Sequence, residues 1–68
     1  MKLEKLLRKY VTFRTRLLIK VMKDNKAEKL VSADLFYLYD EYQDLLDMKV
    51  LQLEVNDNAL CVTVERSA

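Results

Sequence analysis

Residues 50–65 read VLQLEVNDNALCVTVE, and this stretch decides the fold class because its apolar residues recur at every second position. Leucine or valine stands at positions 51, 53 and 55 and again at positions 60, 62 and 64. A period of two is typical of β-strands with one buried face. We therefore predict two strands, over residues 50–56 and 59–65, that form an antiparallel β-hairpin.

The loop of this hairpin predicts the register of its strands. Asp57 and Asn58 tolerate the positive φ that a two-residue turn requires. With these two residues at the centre of the turn, the facing pairs are Leu53 with Val62, Val55 with Leu60, and Leu51 with Val64. An isolated hairpin is only marginally stable, so we expect its apolar face to pack on helices or its edge to pair with a second subunit.

Before residue 50 the apolar residues recur at spacings of three and four, which is typical of amphipathic helices. We predict a first helix over residues 2–23 and a second over residues 33–48, separated by a linker. Ser32 is the expected N-cap of the second helix, because its hydroxyl can accept a backbone N–H, and Asp34 suits the first turn. The predicted fold is one small α+β domain spanning residues 1–68, with two helices followed by the hairpin and completed by dimerisation.

The chain has 68 residues, one cysteine (Cys61) and no histidine. Chains of this length bury a thin core, and most are reinforced by disulfides, a metal or a second subunit. A single thiol without histidine excludes a disulfide within the chain and a structural zinc site, which leaves a homodimer as the expected reinforcement. The lone thiol, the absence of a secretion signal and the absence of an apolar run long enough for a membrane span predict a cytoplasmic protein.

The composition also argues against catalysis. The sequence has no histidine and no glycine, so a histidine-based acid–base site and a glycine-rich phosphate loop are excluded. Asp40, Asp44 and Asp47 share one face of the second predicted helix, but ligands from one straight helix do not enclose an ion. We predict no catalytic residues, no cofactor and no metal, and we interpret these acids as a solvated face.

Charge divides the chain into opposite halves. Residues 1–26 carry nine basic and two acidic residues, a net charge of +7, whereas residues 27–68 carry three basic and nine acidic residues, a net charge of −6. On the first predicted helix, a narrow basic stripe contains Lys2, Lys5, Lys9, Arg16, Lys20 and Lys23. This basic stripe has three interpretations: phosphate contacts along a nucleic acid, contact with an anionic membrane, or a solvated helix face.

The second predicted helix is the acidic counterpart, with five acids and no basic residue over positions 33–48. Tyr37 points away from its apolar stripe and is surrounded by these acids, an arrangement that suits an interface anchor. The predicted partner-binding residues are Tyr37, Asp40, Glu41 and Asp44. Phe36 lies at the edge of the apolar stripe of the second helix, and Ile19 lies opposite the apolar face of the first helix. A second subunit can cover both residues. Arg14 projects into the apolar arc of the first helix, and we expect it to pair with an acid of the second helix or of another subunit.

Two functions remain open. The preferred one is a non-catalytic protein-binding module or regulator that occupies a surface on another protein through Tyr37 or the hairpin edge. The alternative is nucleic-acid binding, since the order helix, helix, hairpin resembles the C-terminal part of a winged-helix domain. That resemblance implies a recognition helix at residues 32–48 and a wing at residues 49–65, but the acids of the helix would repel phosphate, so the contact would use the basic stripe. In size and in its Lys, Asp and Tyr content, the chain resembles accessory proteins of bacteriophage or mobile elements, which implies an inhibitor or regulator of host proteins.

Overall fold

The computed structural model describes residues 1–11, 15–56 and 58–66, and over these residues the chain is mixed α+β. The elements in chain order are α1 (Leu3–Tyr10), β1 (Arg16–Lys23), β2 (Lys26–Ala33), α2 (Leu35–Glu41), a 3₁₀ helix (Gln43–Asp47), β3 (Lys49–Asn56) and β4 (Ala59–Glu65). The strands form one sheet in the order β2-β1-β4-β3, in which β1 and β4 are parallel and the other neighbours are antiparallel. The predicted class is therefore confirmed, but the order of elements differs from two helices and a hairpin.

The predicted helix over residues 2–23 is wrong after α1, because residues 16–23 form β1, one of the two inner strands of the sheet. Leu17, Ile19 and Val21 alternate along this strand, and each has an exposed fraction of 0%. In a helix Ile19 would lie opposite the other apolar residues, whereas in a strand all three face the same side. The expectation that Ile19 lies on the surface, available to a second subunit, is wrong for the same reason.

The predicted linker after residue 23 is also wrong, because it contains a tight turn and most of a strand. Asp24 and Asn25 have φ values of 53° and 64°, and they connect β1 to β2. Two consecutive residues with positive φ are typical of the two-residue turns whose twist matches an antiparallel hairpin. β2 then pairs along β1, with Val31 opposite Ile19, and supplies an edge of the sheet.

Substitutions at Asn25 test this turn. We expect Asn25→Gly to preserve or slightly raise the free energy of unfolding, because glycine adopts positive φ at little cost. Asn25→Val should lower it by about 1–2 kcal/mol, since a branched Cβ opposes the left-handed conformation. Urea unfolding followed by circular dichroism measures both effects. Lys26→Val, one residue later in β2, is the control with little expected change, and an equal loss in Asn25→Gly and Asn25→Val would contradict the turn.

The second predicted helix is divided into two short segments. Residues 35–41 form α2, Tyr42 leaves the helical conformation with φ −128° and ψ 45°, and the 3₁₀ helix follows. Asp34, rather than the predicted Ser32, is the N-cap, and Ser32 belongs to β2. Leu38, Leu45 and Leu46, apolar residues of the predicted second helix, are all buried, but they lie on two segments instead of along one helical stripe.

The predicted C-terminal hairpin is confirmed, with one correction to its register. Leu53 faces Val62 and Val55 faces Leu60, as expected. Val64, however, faces Val50 instead of Leu51, because a β-bulge lies between Val50 and Gln52. Of the two turn residues, Asn58 has a φ of 65°, in agreement with the predicted turn, and Asp57 lies outside the described residues.

The core lies between one face of the sheet and the helices. Its fully buried side chains come from α1, β1, α2, the 3₁₀ helix and β4: Leu3, Leu7, Leu17, Ile19, Val21, Leu38, Leu45, Val62 and Val64. The N-terminus is tied to this core by two backbone hydrogen bonds. The N–H of Leu3 donates to the carbonyl of Met48 at 3.0 Å, and the N–H of Val50 donates to the carbonyl of Met1 at 2.8 Å. Among the described helices, none has the length and apolar character needed to cross a membrane.

Candidate functional site

The second helix carries the exposed aromatic residues of greatest interest. Phe36 and Tyr37 have exposed fractions of 68% and 50%, although the next residue of the helix, Leu38, is fully buried. The exposed acids Asp40 and Glu41 lie on the same short helix. We define the α2 surface as Asp34, Phe36, Tyr37, Asp40 and Glu41. The predicted exposure of Tyr37 is confirmed, and the structure places two of its three predicted acidic companions on the same helix.

Asp34 fixes the start of α2 and therefore the position of Tyr37. The backbone N–H of Tyr37 donates to the Asp34 carboxylate, with an N···Oδ1 distance of 2.8 Å. This cap satisfies a backbone donor that has no partner within the helix, and a negative charge at this end is favourable for the helix dipole. One side chain thus both begins the helix and lies directly beside the exposed tyrosine.

The Tyr37 ring is supported from within the protein by Tyr42. Their ring centroids are 5.8 Å apart with an interplanar angle of 65°, which is an edge-to-face contact. Tyr42 is partly buried against the core, and the Lys29 ammonium of β2 lies 5.6 Å from its ring centroid. Aromatic contacts of this kind and cation–π contacts each restrict a ring's orientation. Tyr37 is therefore held in place while half of its surface stays available to a partner.

A cleft adjoins Tyr37 where β1, β2 and α2 meet. Its volume is about 420 Å³, and its lining residues are Thr15, Arg16, Ser32, Ala33, Asp34 and Tyr37. Sites of this size accept a small molecule or a few side chains of a partner. The lining combines a guanidinium, a carboxylate, hydroxyls and an aromatic ring, so it can orient a polar group that enters beside Tyr37. The spacing pattern could not predict this cleft, because it requires the strands β1 and β2.

The capping role of Asp34 gives a direct test of how the site is built. We expect Asp34→Ala to lower the free energy of unfolding by about 1 kcal/mol, while Asp34→Asn, which keeps a capping oxygen, changes it by less. Asp40→Ala is the matched control, because Asp40 is exposed within the same helix and is not its cap. Chemical denaturation of the three variants measures the differences. Equal stability of Asp34→Ala and Asp40→Ala would contradict the cap.

Arg66 connects the 3₁₀ helix to the sheet. Its Nη2 lies 3.3 Å from Glu28 Oε1 and 3.6 Å from Asp44 Oδ2, and its backbone N–H donates to the Met22 carbonyl at 2.9 Å. Asp44, predicted as a partner-binding residue, therefore lies beyond α2 and already pairs with a cation of the same chain. Because Asp44 belongs to the 3₁₀ helix, it does not share a straight helical face with Asp40.

The predicted basic stripe does not exist as a continuous helical face. Lys2, Lys5 and Lys9 lie on or beside α1, whereas Arg16, Lys20 and Lys23 lie on β1. On β1 the residues Arg16 and Lys20 alternate with the buried Leu17 and Ile19, so they face away from the helix-covered side of the sheet. The six cations are therefore divided: Lys2, Lys5 and Lys9 lie on or beside α1, Arg16 and Lys20 lie on the opposite face of the sheet, and Lys23 lies at the end of β1. The predicted ion pair of Arg14 lies outside the described residues.

The structure also differs from the winged-helix domain that the predicted order of elements resembled. The segment before the C-terminal hairpin follows a β-hairpin, not a helix, and β4 pairs in parallel with β1 inside the sheet. Residues 49–65 are thus half of a four-stranded sheet instead of a separate wing.

Neither a metal-binding cluster in the described part of the chain nor a known protein indicates the role of the site. Within residues 1–11, 15–56 and 58–66, no group of three or more His, Cys, Asp or Glu side chains is placed to hold a metal ion. Comparison with known proteins found no matching family model, no matching curated protein and no matching solved structure. A functional assignment therefore depends on the α2 surface and the sheet themselves.

Proposed function

We propose that the protein is a non-catalytic binding module that regulates a partner protein by occupying one of its surfaces through the α2 surface. The observation that carries this proposal is Tyr37, a half-exposed ring held against Tyr42 at the edge of a cleft. Exposed tyrosines that are already ordered contribute strongly at interfaces, since they bury a large area and lose little conformational freedom. The capped helix start supplies the required rigidity.

The charge around Tyr37 favours a basic partner. Positions 34–47 contain five acids and no basic residue. Two of the acids, Asp44 and Asp47, pair with Arg66 and Lys2, while Asp40 and Glu41 are exposed on α2 itself. Acidic groups around an aromatic anchor increase the association rate with a positively charged surface and disfavour acidic surfaces, including nucleic acid. The proposed partner therefore presents an apolar pocket with a rim of Lys or Arg.

The cleft beside Tyr37 provides specificity in this proposal. Arg16 and Asp34 lie on its lining, so a partner side chain that enters can form hydrogen bonds with opposite charges at once. Such paired polar contacts contribute more to discrimination between partners than to affinity itself.

A comparative capture experiment tests the proposal. Tagged wild-type protein, Tyr37→Ala and the α1 control Lys9→Ala are incubated with nuclease-treated host lysate at low and moderate salt, and bound proteins are quantified by mass spectrometry. We expect one protein to be recovered with the wild type and with Lys9→Ala at both salts, and to be lost with Tyr37→Ala.

Two outcomes would contradict the proposal. One is a protein that is captured equally by the wild type and Tyr37→Ala. The other is recovery of nucleic acid alone when the nuclease is omitted, with release by moderate salt and loss in the double variant Lys5→Glu and Lys9→Glu. The second outcome would instead support the nucleic-acid alternative through the lysines of α1.

A further inference from the structure

The two edges of the sheet differ in chemistry. The edge strand β2 presents Lys26, Glu28 and Lys29, and charged residues, lysine above all, are the usual protection against strand pairing. The opposite edge strand, β3, has apolar residues at alternate positions, with exposed fractions of 47% for Leu51, 45% for Leu53 and 79% for Val55. An exposed edge of this kind is a template for pairing with another strand.

Part of the β3 edge is already occupied by the N-terminus. Lys2 forms an antiparallel bridge with Lys49, and the N–H of Val50 donates to the carbonyl of Met1 at 2.8 Å. The free β3 edge is therefore the segment 51–56, along which every residue is exposed. No other described element pairs with this segment on its outer side, since β3 is the last strand of the sheet.

We propose that the free β3 edge binds the same segment of a second copy of this chain, in antiparallel orientation, to form a dimer with a continuous eight-stranded sheet. Symmetry itself restricts this pairing. The two-fold axis that relates two antiparallel strands is perpendicular to the sheet, so each face of the sheet continues from one copy into the other. Along each strand, the side chains alternate between the two faces. Residues that face each other must therefore both be odd-numbered or both be even-numbered. Within the free β3 edge the apolar positions then face apolar positions, and the polar residues Gln52, Glu54 and Asn56 face polar residues.

The choice of register follows from the residues of the free β3 edge. With the axis at Leu53, Leu53 faces its own copy, and Leu51, the residue of the β-bulge, lies opposite Val55 at the end of the paired segment. Gln52 then faces Glu54, so an amide donor lies opposite a carboxylate. These two side chains already form such a hydrogen bond within one chain, at 2.9 Å.

The neighbouring symmetric registers are less favourable. With the axis at Gln52, Val55 would face Lys49, whose outer edge is bridged to Lys2. With the axis at Glu54, two carboxylates would lie directly opposite each other, which is destabilising in a sheet. The axis at Leu53 avoids the carboxylate pair and keeps Lys49 away from Val55. It pairs residues 51–55 of each copy, and the pairing ends there because the outer N–H of Val50, opposite Asn56, is bonded to Met1.

The pairing at Leu53 also extends the core. Leu53 and Val55 face Val62 and Leu60 of β4, so they lie on the helix-covered side of the sheet, beyond the area that the helices cover. Leu60 is itself partly buried at the margin of the core cluster. In the dimer, the exposed apolar residues of the two copies therefore contact each other across the axis and become buried.

Measurement of mass in solution tests the dimer. Sedimentation equilibrium at protein concentrations up to about 1 mM should give twice the monomer mass of 8.1 kDa. Leu53→Glu places two carboxylates opposite each other across the axis and should return the protein to a monomer with an unchanged circular dichroism spectrum. Leu30→Glu, the same change at an exposed position of β2, should remain dimeric. A monomeric wild type at the highest concentration, or a dimer that Leu53→Glu leaves intact, would overturn the proposal.

A cysteine scan determines the register and remains informative if Leu53→Glu prevents folding. Single cysteines replace Gln52, Leu53 or Glu54 in a Cys61→Ser background, and disulfide-linked dimers are quantified after mild oxidation. Facing residues of antiparallel strands lie within disulfide reach, so Leu53→Cys should give the greatest yield. A maximum at either neighbouring position would overturn the axis at Leu53, and the absence of cross-linked dimer at all three would overturn the interface.

This dimer uses a surface distinct from the α2 surface, so the two proposals can fail independently. Tyr37→Ala should leave the dimer intact, and Leu53→Glu should leave the α2 surface folded and able to bind its partner. Loss of dimerisation in Tyr37→Ala would overturn the assignment of the interface to β3.

Discussion

Replacement of Ile19 by aspartate is expected to leave the protein largely unfolded. Ile19 is fully buried in β1, between Val31 of β2 and Val62 of β4. A carboxylate at this position would have to be buried without a partner or to expose the core to water. Since a chain of 68 residues has a free energy of unfolding of only about 3–10 kcal/mol, such a substitution exceeds what the fold can tolerate.

Graded substitutions at Ile19 keep this prediction measurable. Ile19→Val should cost about 0.5–1.5 kcal/mol and Ile19→Ala about 2–5 kcal/mol, in proportion to the volume that is lost. Lys20→Ala, at the next and exposed position of β1, should change the free energy of unfolding by less than about 0.5 kcal/mol. Denaturant titrations followed by circular dichroism give all three values. A well-folded Ile19→Asp variant would show that residue 19 lies on the surface, as the helical interpretation of residues 2–23 requires.

Replacement of Tyr37 by alanine is expected to weaken the partner complex by about 2 kcal/mol or more, which is roughly a thirty-fold loss of affinity. The loss follows from the geometry, because a ring ordered by Tyr42 needs little further ordering when it binds. Tyr37 is half exposed in the free protein, so removal of its ring should alter the free energy of unfolding far less than the affinity. Titration calorimetry with the captured partner, together with denaturant unfolding, separates these two effects.

The control for this prediction is a conservative change at the same position. Tyr37→Phe keeps the ring and its contact with Tyr42, so we expect it to retain most of the affinity. A partner complex that is weakened equally by Tyr37→Phe and Tyr37→Ala would assign the role to the hydroxyl alone. A complex that Tyr37→Ala leaves unchanged would exclude Tyr37 as the anchor.

The C-terminal half of the fold could be predicted from local patterns. The alternation in residues 50–65 and the turn at Asn58 predicted the hairpin, and the three- and four-residue spacings predicted the burial of Leu38 and Leu45, although not the division of their helix into two segments. In both cases the residues that decide the structure are close in sequence. Local propensity and packing therefore favour the same answer.

The N-terminal half could not be predicted in the same way. Leucines at 17 and 18 followed by Val21 and Met22 fit a helical stripe, but Leu17 and Val21 fit a strand equally well once Ile19 is counted. The deciding interaction is the parallel pairing of β1 with β4, which joins distant parts of the chain. One local signal for the β1–β2 hairpin was present in the sequence. Asp24 and Asn25 are residue types that accept positive φ, so they can form a tight turn in a chain without glycine.

The candidate site, like the fold, could be predicted only in part. The exposure of Tyr37 follows from the period of its helix and was predicted, and so was its acidic neighbourhood. The support from Tyr42 depends on the interruption of the helix after Glu41, and the cleft depends on β1 and β2. Both features arise from tertiary packing, which overrides the long helical periodicity.

Site-specific photo-cross-linking in host cells tests the central claim most directly. The photoreactive amino acid benzoylphenylalanine replaces Tyr37, Phe36 or, as the control on α1, Lys9, and the adducts are identified by mass spectrometry after irradiation. A binding module that acts through the α2 surface should give one discrete protein adduct at positions 36 and 37 and none at position 9. Adducts at position 9 alone, or the absence of a protein adduct at both positions of α2, would contradict it.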